Sequence, residues 1–135
     1  MTAVLIDSNV LLDIMTEDAR WLSWSATAVE ETADQFRLVI NPIIYAEVSI
    51  RYSRIEDVEA ALPTTMVERE AIPYEAAFLA GKVFLRYRRN GGTRTSPLPD
   101  FFIGAHAAVA GYRLLTRDPA RFRSYFPKLS LIAPA

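Results

Sequence analysis

Two short runs, Val4-Leu5-Ile6 and Leu38-Val39-Ile40, most narrow what this chain can fold into. Neither alternates apolar with polar residues, so neither fits a strand with one wet face. Each stops at a polar signal, Asp7-Ser8-Asn9 after the first and Asn41-Pro42 after the second. Unbroken runs of this kind read as strands buried on both faces, as in parallel sheets covered by helices. The polar signals read as helix starts. Ser8 or Asn9 would cap the first helix, and Asn41 the second, ahead of a proline at its first position.

The rest of the chain continues the alternation. Helical spacing runs from about Trp21 to Gln35, from Pro42 to about Tyr52 and from Ile55 to Leu62. Thr65 to Val67 reads as a weak third strand. Tyr74 to Arg89 is a strong helix closed by Asn90-Gly91-Gly92, and a polar loop follows to Ser96. Pro99-Asp100 opens a helix of small residues to about Ala110. Tyr112 to Thr116 reads as a fourth strand, Pro119 to Tyr125 as a short helix and Leu129 to Ile132 as a last strand. Strands alternating with helices predict an α/β fold on a parallel sheet, with its functional crevice outside the carboxyl ends of the strands. With 135 residues, no repeat and no linker, the expectation is a single domain over residues 1–135.

Composition limits what a site in that crevice can be made of. There is no Cys and one His, which excludes a disulfide scaffold and thiolate zinc sites. Hydrophobic residues make up 51% and charged residues 23%, a globular balance rather than a disordered one. No apolar run approaches the roughly 20 residues of a membrane span. The opening Met-Thr-Ala-Val-Leu-Ile-Asp lacks the basic segment of a secretory leader, so the cytoplasm is the expected location.

Oxygen ligands remain, and four acids stand out. Asp7 follows the first strand, Asp118 follows the fourth, Asp100 opens the small-residue helix, and Glu47 lies within two turns of a helix start. A doubly wound sheet can bring all four to one edge. The aspartates also have a plain reading as helix caps or dipole partners, Asp118 before Pro119 above all. Glu47 is harder to dismiss, because Ile43, Ile44 and Ile50 occupy its i−4, i−3 and i+3 positions. A carboxylate in an apolar stripe is costly unless it is paired or bound to a cation. Acids without a Cys nucleophile or a His partner point to a hard cation, Mg²⁺ or Mn²⁺. Such an ion relieves their repulsion, activates water and stabilises charge on a phosphoryl group, which makes a phosphodiester the natural substrate.

Four segments carry a family resemblance. Val4–Asp13, reading Val-Leu-Ile-Asp-Ser-Asn-Val-Leu-Leu-Asp, resembles the opening motif of the PIN-domain ribonucleases. Ile44-Tyr45-Ala46-Glu47-Val48 is similar to their second acidic motif, and Pro99-Asp100-Phe101-Phe102-Ile103-Gly104-Ala105-His106-Ala107 to their third. Leu115-Thr116-Arg117-Asp118-Pro119-Ala120-Arg121-Phe122 resembles their fourth. The motifs occur in the family's order, and the length resembles that of the VapC-type toxins of bacterial toxin–antitoxin pairs. The resemblance implies a five-stranded parallel sheet in a three-layer α/β/α sandwich. It also implies a Mg²⁺- or Mn²⁺-dependent endoribonuclease, a homodimer, and inhibition by a small VapB-like antitoxin. Asp7, Glu47, Asp100 and Asp118 match the acidic quartet, with Asp7, Asp100 and Asp118 as metal ligands. Asn9 and Thr116 match supporting polar positions.

Other residues are weighed against plainer roles. Arg86, Arg88, Arg89 and Arg94 form a local basic patch in a chain of net charge −1, and Tyr87 among them offers a stacking face for RNA. A solvated helix end explains the same arginines. His106 lies about 240° around its helix from Asp100, which argues for a structural role. Met15, Met66, Trp21 and Trp24 are expected in the core or an interface, and Asp13 in solvent. Two rival functions remain. A haloacid-dehalogenase-like phosphatase would use Asp7 as nucleophile, but Asn9 stands where its second acid belongs. A non-catalytic binding module would keep the fold without needing four acids.

Overall fold

A computed structural model describes residues 2–94 and 98–135. Strand β1 (Ala3–Ile6) is wholly buried, all four of its side chains inaccessible to water. It leads into helix α1 (Ser8–Met15), followed by α2 (Leu22–Ala33), β2 (Arg37–Ile40), α3 (Pro42–Ser49) and α4 (Ile55–Ala61). Strand β3 (Glu68–Arg69), α5 (Tyr74–Arg89), α6 (Pro99–Ala110), β4 (Arg113–Leu115), α7 (Ala120–Tyr125) and β5 (Leu131–Ile132) complete the order. The strands lie β3-β2-β1-β4-β5, every pairing parallel, so β1 is central. Seven helices among the described residues cover this sheet, giving the α/β/α sandwich expected. None is long and apolar enough to cross a membrane.

Local chemistry explains the element ends that matter for the site. Asn41 caps α3, its side chain accepting from Ile44 N at 3.0 Å, with Pro42 in the first turn. Asp7, rather than Ser8 or Asn9, is the N-cap of α1 and accepts from Ser8 N at 2.8 Å. Helix α6 ends at Gly111, whose φ of 73° suits the left-handed cap. The third strand falls at Glu68–Arg69, not Thr65–Val67, because Pro63 O accepts from both Met66 N and Val67 N and folds that stretch into a turn. Ser96, the end expected for the polar loop, lies outside the described residues.

The order of strands sets the crevice. Because β1 is flanked by β2 on one side and β4 on the other, connections leaving its carboxyl end diverge to opposite sides. In open parallel sheets a ligand-binding crevice opens at that divergence. Asp7 stands directly at the end of β1, and Thr116 at the end of β4 beside it, where Asp7 N donates to Leu115 O at 2.9 Å.

Candidate active site

The four acids are held by different means. Asp7 is buried, and its two oxygens accept from Ser8 N and from the Thr116 hydroxyl, both at 2.8 Å. Glu47, on α3, is half-buried and accepts from the Ser8 hydroxyl at 2.8 Å. Ser8 therefore ties Asp7 to Glu47, a link the sequence reading missed. Asp100, in the first turn of α6, pairs with Arg121 Nη1 at 3.2 Å. Asp118 is exposed and does not cap α7. It instead accepts from Asn9 Nδ2 at 3.3 Å and from Arg117 Nη1 at 3.2 Å.

Thr116 and Asn9 knit the ends of β1 and β4 together. A hydroxyl has one proton to give and two lone pairs. Thr116 gives its proton to Asp7, and accepts from Asp118 N at 3.1 Å and Asn9 Nδ2 at 3.4 Å. Asn9 Oδ1 in turn accepts from Arg117 N at 3.4 Å. Every capacity of the Thr116 hydroxyl is used, so its orientation and that of Asp7 are set.

Charge accumulates at this edge. Burial pushes the Asp7 carboxyl up to about 7; Thr116 opposes the shift, while the charges of Asp100 and Glu47 add to it. Burial also raises Glu47, with Ser8 lowering it and Asp100 raising it. Asp100 is raised by burial, lowered by Arg121 and raised again by Asp118. The four acids thus feel one another's charge. The Ile stripe expected around Glu47 is only partly buried, because Ile50 is 82% exposed.

The donor set is all carboxylate, hydroxyl and amide oxygen, which fits a hard divalent cation. No three acids or histidines among the described residues stand close enough to form a ligating group. Arg117 and Arg121 occupy Asp118 and Asp100 instead. The chemistry of the donors fits the ion, and taking it up requires these carboxylates to close in.

Several surrounding residues differ from expectation. Asp13 is 2% exposed, not solvated: it accepts from Ser25 Oγ at 2.8 Å and from Arg117 Nε at 2.7 Å. Its place in the run Val10-Leu11-Leu12-Asp13-Ile14-Met15 was the available signal, the same one that marked Glu47. Met66, expected in the core or an interface, is 62% exposed and so not in the core. His106 is fully buried, with Asn41 Nδ2 donating to its Nδ1 at 3.1 Å, and burial lowers its pKa. Arg86 donates to Tyr125 O at 2.8 Å and Arg88 to Arg94 O at 2.6 Å, so both strap backbone carbonyls. The Tyr87 ring lies 5.5 Å from that of Phe101, which places this end of α5 beside the start of α6.

Carboxylates brought to the carboxyl edge of a parallel sheet in an α/β/α sandwich point to the class of protein. The sequence model of the PIN domain matches residues 4–125, and the chain belongs to that family. Among curated protein sequences none matches significantly. Solved structures do. VapBC2 from Rickettsia felis, bound to a DNA fragment from their promoter, matches with a TM-score of 0.75 at 16% identity, covering 98% of both chains. VapBC-1 from nontypeable Haemophilus influenzae matches at 0.73 and 19%, again over 98% of both. A toxin–antitoxin complex from Klebsiella pneumoniae matches at 0.66 and 19% over 98% of both. At these identities the likeness is one of fold.

Proposed function

We propose that this chain is a metal-dependent endoribonuclease that acts as the toxin of a toxin–antitoxin pair. The observation that carries the reading is the buried Asp7 at the end of β1, with Glu47 and Asp100 bearing on its charge. Such a carboxylate is expensive without a cation. Asp7, Asp100 and Asp118 would hold Mg²⁺ or Mn²⁺, and a bound ion would supply charge neutralisation and an acidified water.

The remaining work falls to this chain's own groups. Thr116 and Ser8 N fix the Asp7 carboxylate in one orientation. Glu47, raised by burial, is the group to take a proton from the attacking water, with Ser8 orienting it. Asn9 and Arg117 steady Asp118. Arg117 and Arg121 put positive charge where an RNA phosphate would meet the acids. Arg86, Arg88, Arg89 and Arg94 would extend that surface along the RNA backbone.

The fold it shares with proteins solved as toxin–antitoxin complexes supports the rest of the reading. That reading is one domain, a homodimer, a small VapB-like antitoxin as partner, and the cytoplasm as location. The test is RNA cleavage by the purified chain with Mg²⁺ and with EDTA, using Asp100→Asn as control. Cleavage with Mg²⁺ that is lost in EDTA and in the variant is expected. Undiminished cleavage in EDTA would overturn the metal assignment.

A further inference from the structure

The loop between α1 and α2 carries a feature that the acid site does not use. Trp24 packs against the hydrophobic core, but its neighbour Trp21 does not, although it is only half-exposed. Two guanidiniums flank Trp21, and the Asp18 carboxylate faces both. The Arg20 guanidinium lies over its ring at 5.3 Å from the centroid, and that of Arg117 at 5.5 Å. Trp24 braces the ring edge-on, with centroids 6.3 Å apart and planes at 88°. The loop itself is fixed, because Asp18 accepts from both Arg20 N and Trp21 N at 2.9 Å.

Arg117 joins this shelf to the acids. Its Nε is anchored on buried Asp13, and its Nη1 reaches Asp118 at 3.2 Å. An indole with two guanidiniums therefore stands one side chain away from the acid quartet. A core tryptophan has no need of two arginines, and a solvated pair of arginines has no need of a rigid indole. Single-stranded nucleic acid uses both: its bases stack on aromatic faces and guanidinium planes, and its phosphates meet the positive charge.

We infer that Trp21, with Arg20 and Arg117 beside it, forms a stacking subsite for a base of single-stranded RNA flanking the phosphodiester at the acid edge. This rests on the RNA-cleaving reading above and adds the residues that place the strand. The unpaired base lies on the indole or on the exposed Arg20 guanidinium. Arg117 cannot follow the base away, because Asp13 holds it. A base locked in a duplex has no free face to offer, so the subsite selects unpaired RNA.

The experiment uses the cleavage-blocked Asp7→Asn chain carrying Trp24→Phe, which leaves Trp21 as the only tryptophan. A labelled single-stranded oligoribonucleotide is titrated with Mg²⁺ present, reading both its anisotropy and the protein's tryptophan emission. Binding is expected to quench Trp21. Trp21→Ala in the Asp7→Asn background should weaken binding about tenfold, with Trp21→Tyr restoring most of it. Duplex RNA should bind without quenching. If the oligonucleotide binds with unchanged emission, and Trp21→Ala binds as tightly, the subsite is refuted while the nuclease reading stands. If no RNA binds and the unmodified chain cleaves none, both fall. The emission measurement keeps Trp21 intact, so it decides even if Trp21→Ala fails to fold.

Discussion

Replacing Asp7 by Asn should change how stability depends on pH, not merely its value. The folded chain holds the Asp7 proton up to about pH 7, whereas an unfolded aspartate releases it near 3.8. A folded pKa raised above the unfolded value means that folding takes up a proton in this interval. Its contribution is therefore whole below about pH 4 and is lost as pH rises to about 7. A displacement of that size corresponds to about 4 kcal/mol at neutral pH in metal-free buffer. Asn cannot ionise, so the variant should lose most of this slope. Glu47 and Asp100, also raised, leave a smaller residue of the same sign. Asn has its own penalty: it turns one of two acceptors into a donor, facing either Ser8 N–H or the committed Thr116 hydroxyl. A protonated Asp7 carries a donor on one of the same two oxygens, so this mismatch, of about 1–3 kcal/mol, sets Asn apart from the carboxylate and little from the neutral acid. The two stability curves should thus lie close in acid and part as pH rises, the variant gaining on the wild type towards about pH 8. Urea unfolding in EDTA across this range measures it. Parallel curves for the two proteins would show that Asp7 is not a buried, proton-holding carboxylate, and the electrostatic case for the site would go with them.

Three further outcomes test neighbouring parts of the structure. Mn²⁺ at neutral pH should raise the thermal midpoint of the wild type and leave Asp7→Asn nearly unchanged; equal gains would place the ion elsewhere. Asp13→Ala should destabilise by about 3 kcal/mol, because it strips Ser25 and Arg117 of a buried acceptor, and a urea midpoint close to wild type would refute this. At Gly104 a Cβ would come within 2.4 Å of the buried Phe126 ring. Gly104→Ala should therefore lose about 1 kcal/mol net, overpacking outweighing the gain in helix propensity, and a more stable variant would show that the ring gives way.

The sheet was legible because its signals are local. An unbroken apolar run ending at Asp7, and another at Asn41, can be read without knowing what packs on them. The third strand was misplaced by two or three residues because its pairing is set by β2, not by its own side chains, of which Glu68 and Arg69 are exposed. The acids were legible as types at strand ends and helix starts. Their partners were not. Ser8 looked like a cap and Asp13 like a surface residue, while Arg117 and Arg121 had no role assigned. Each acquires its role from a residue far along the chain, and only the fold supplies that distance.

That distance also orders events during synthesis. Thr116 reaches Asp7, and Asp118 reaches Asn9, across 109 positions of chain. A ribosome delivers β1 early and its second flanking strand, β4, late, so the central strand waits with one edge unpaired through most of translation. Long-range pairing of this kind also forms slowly once its partner has emerged. Until residues 113–118 are free of the ribosome, Asp7 has no hydroxyl to set it and Asp118 has not joined it. A nascent or prematurely terminated chain therefore carries three of the four acids without the assembled site, and the last residues to join decide when the chain first becomes competent.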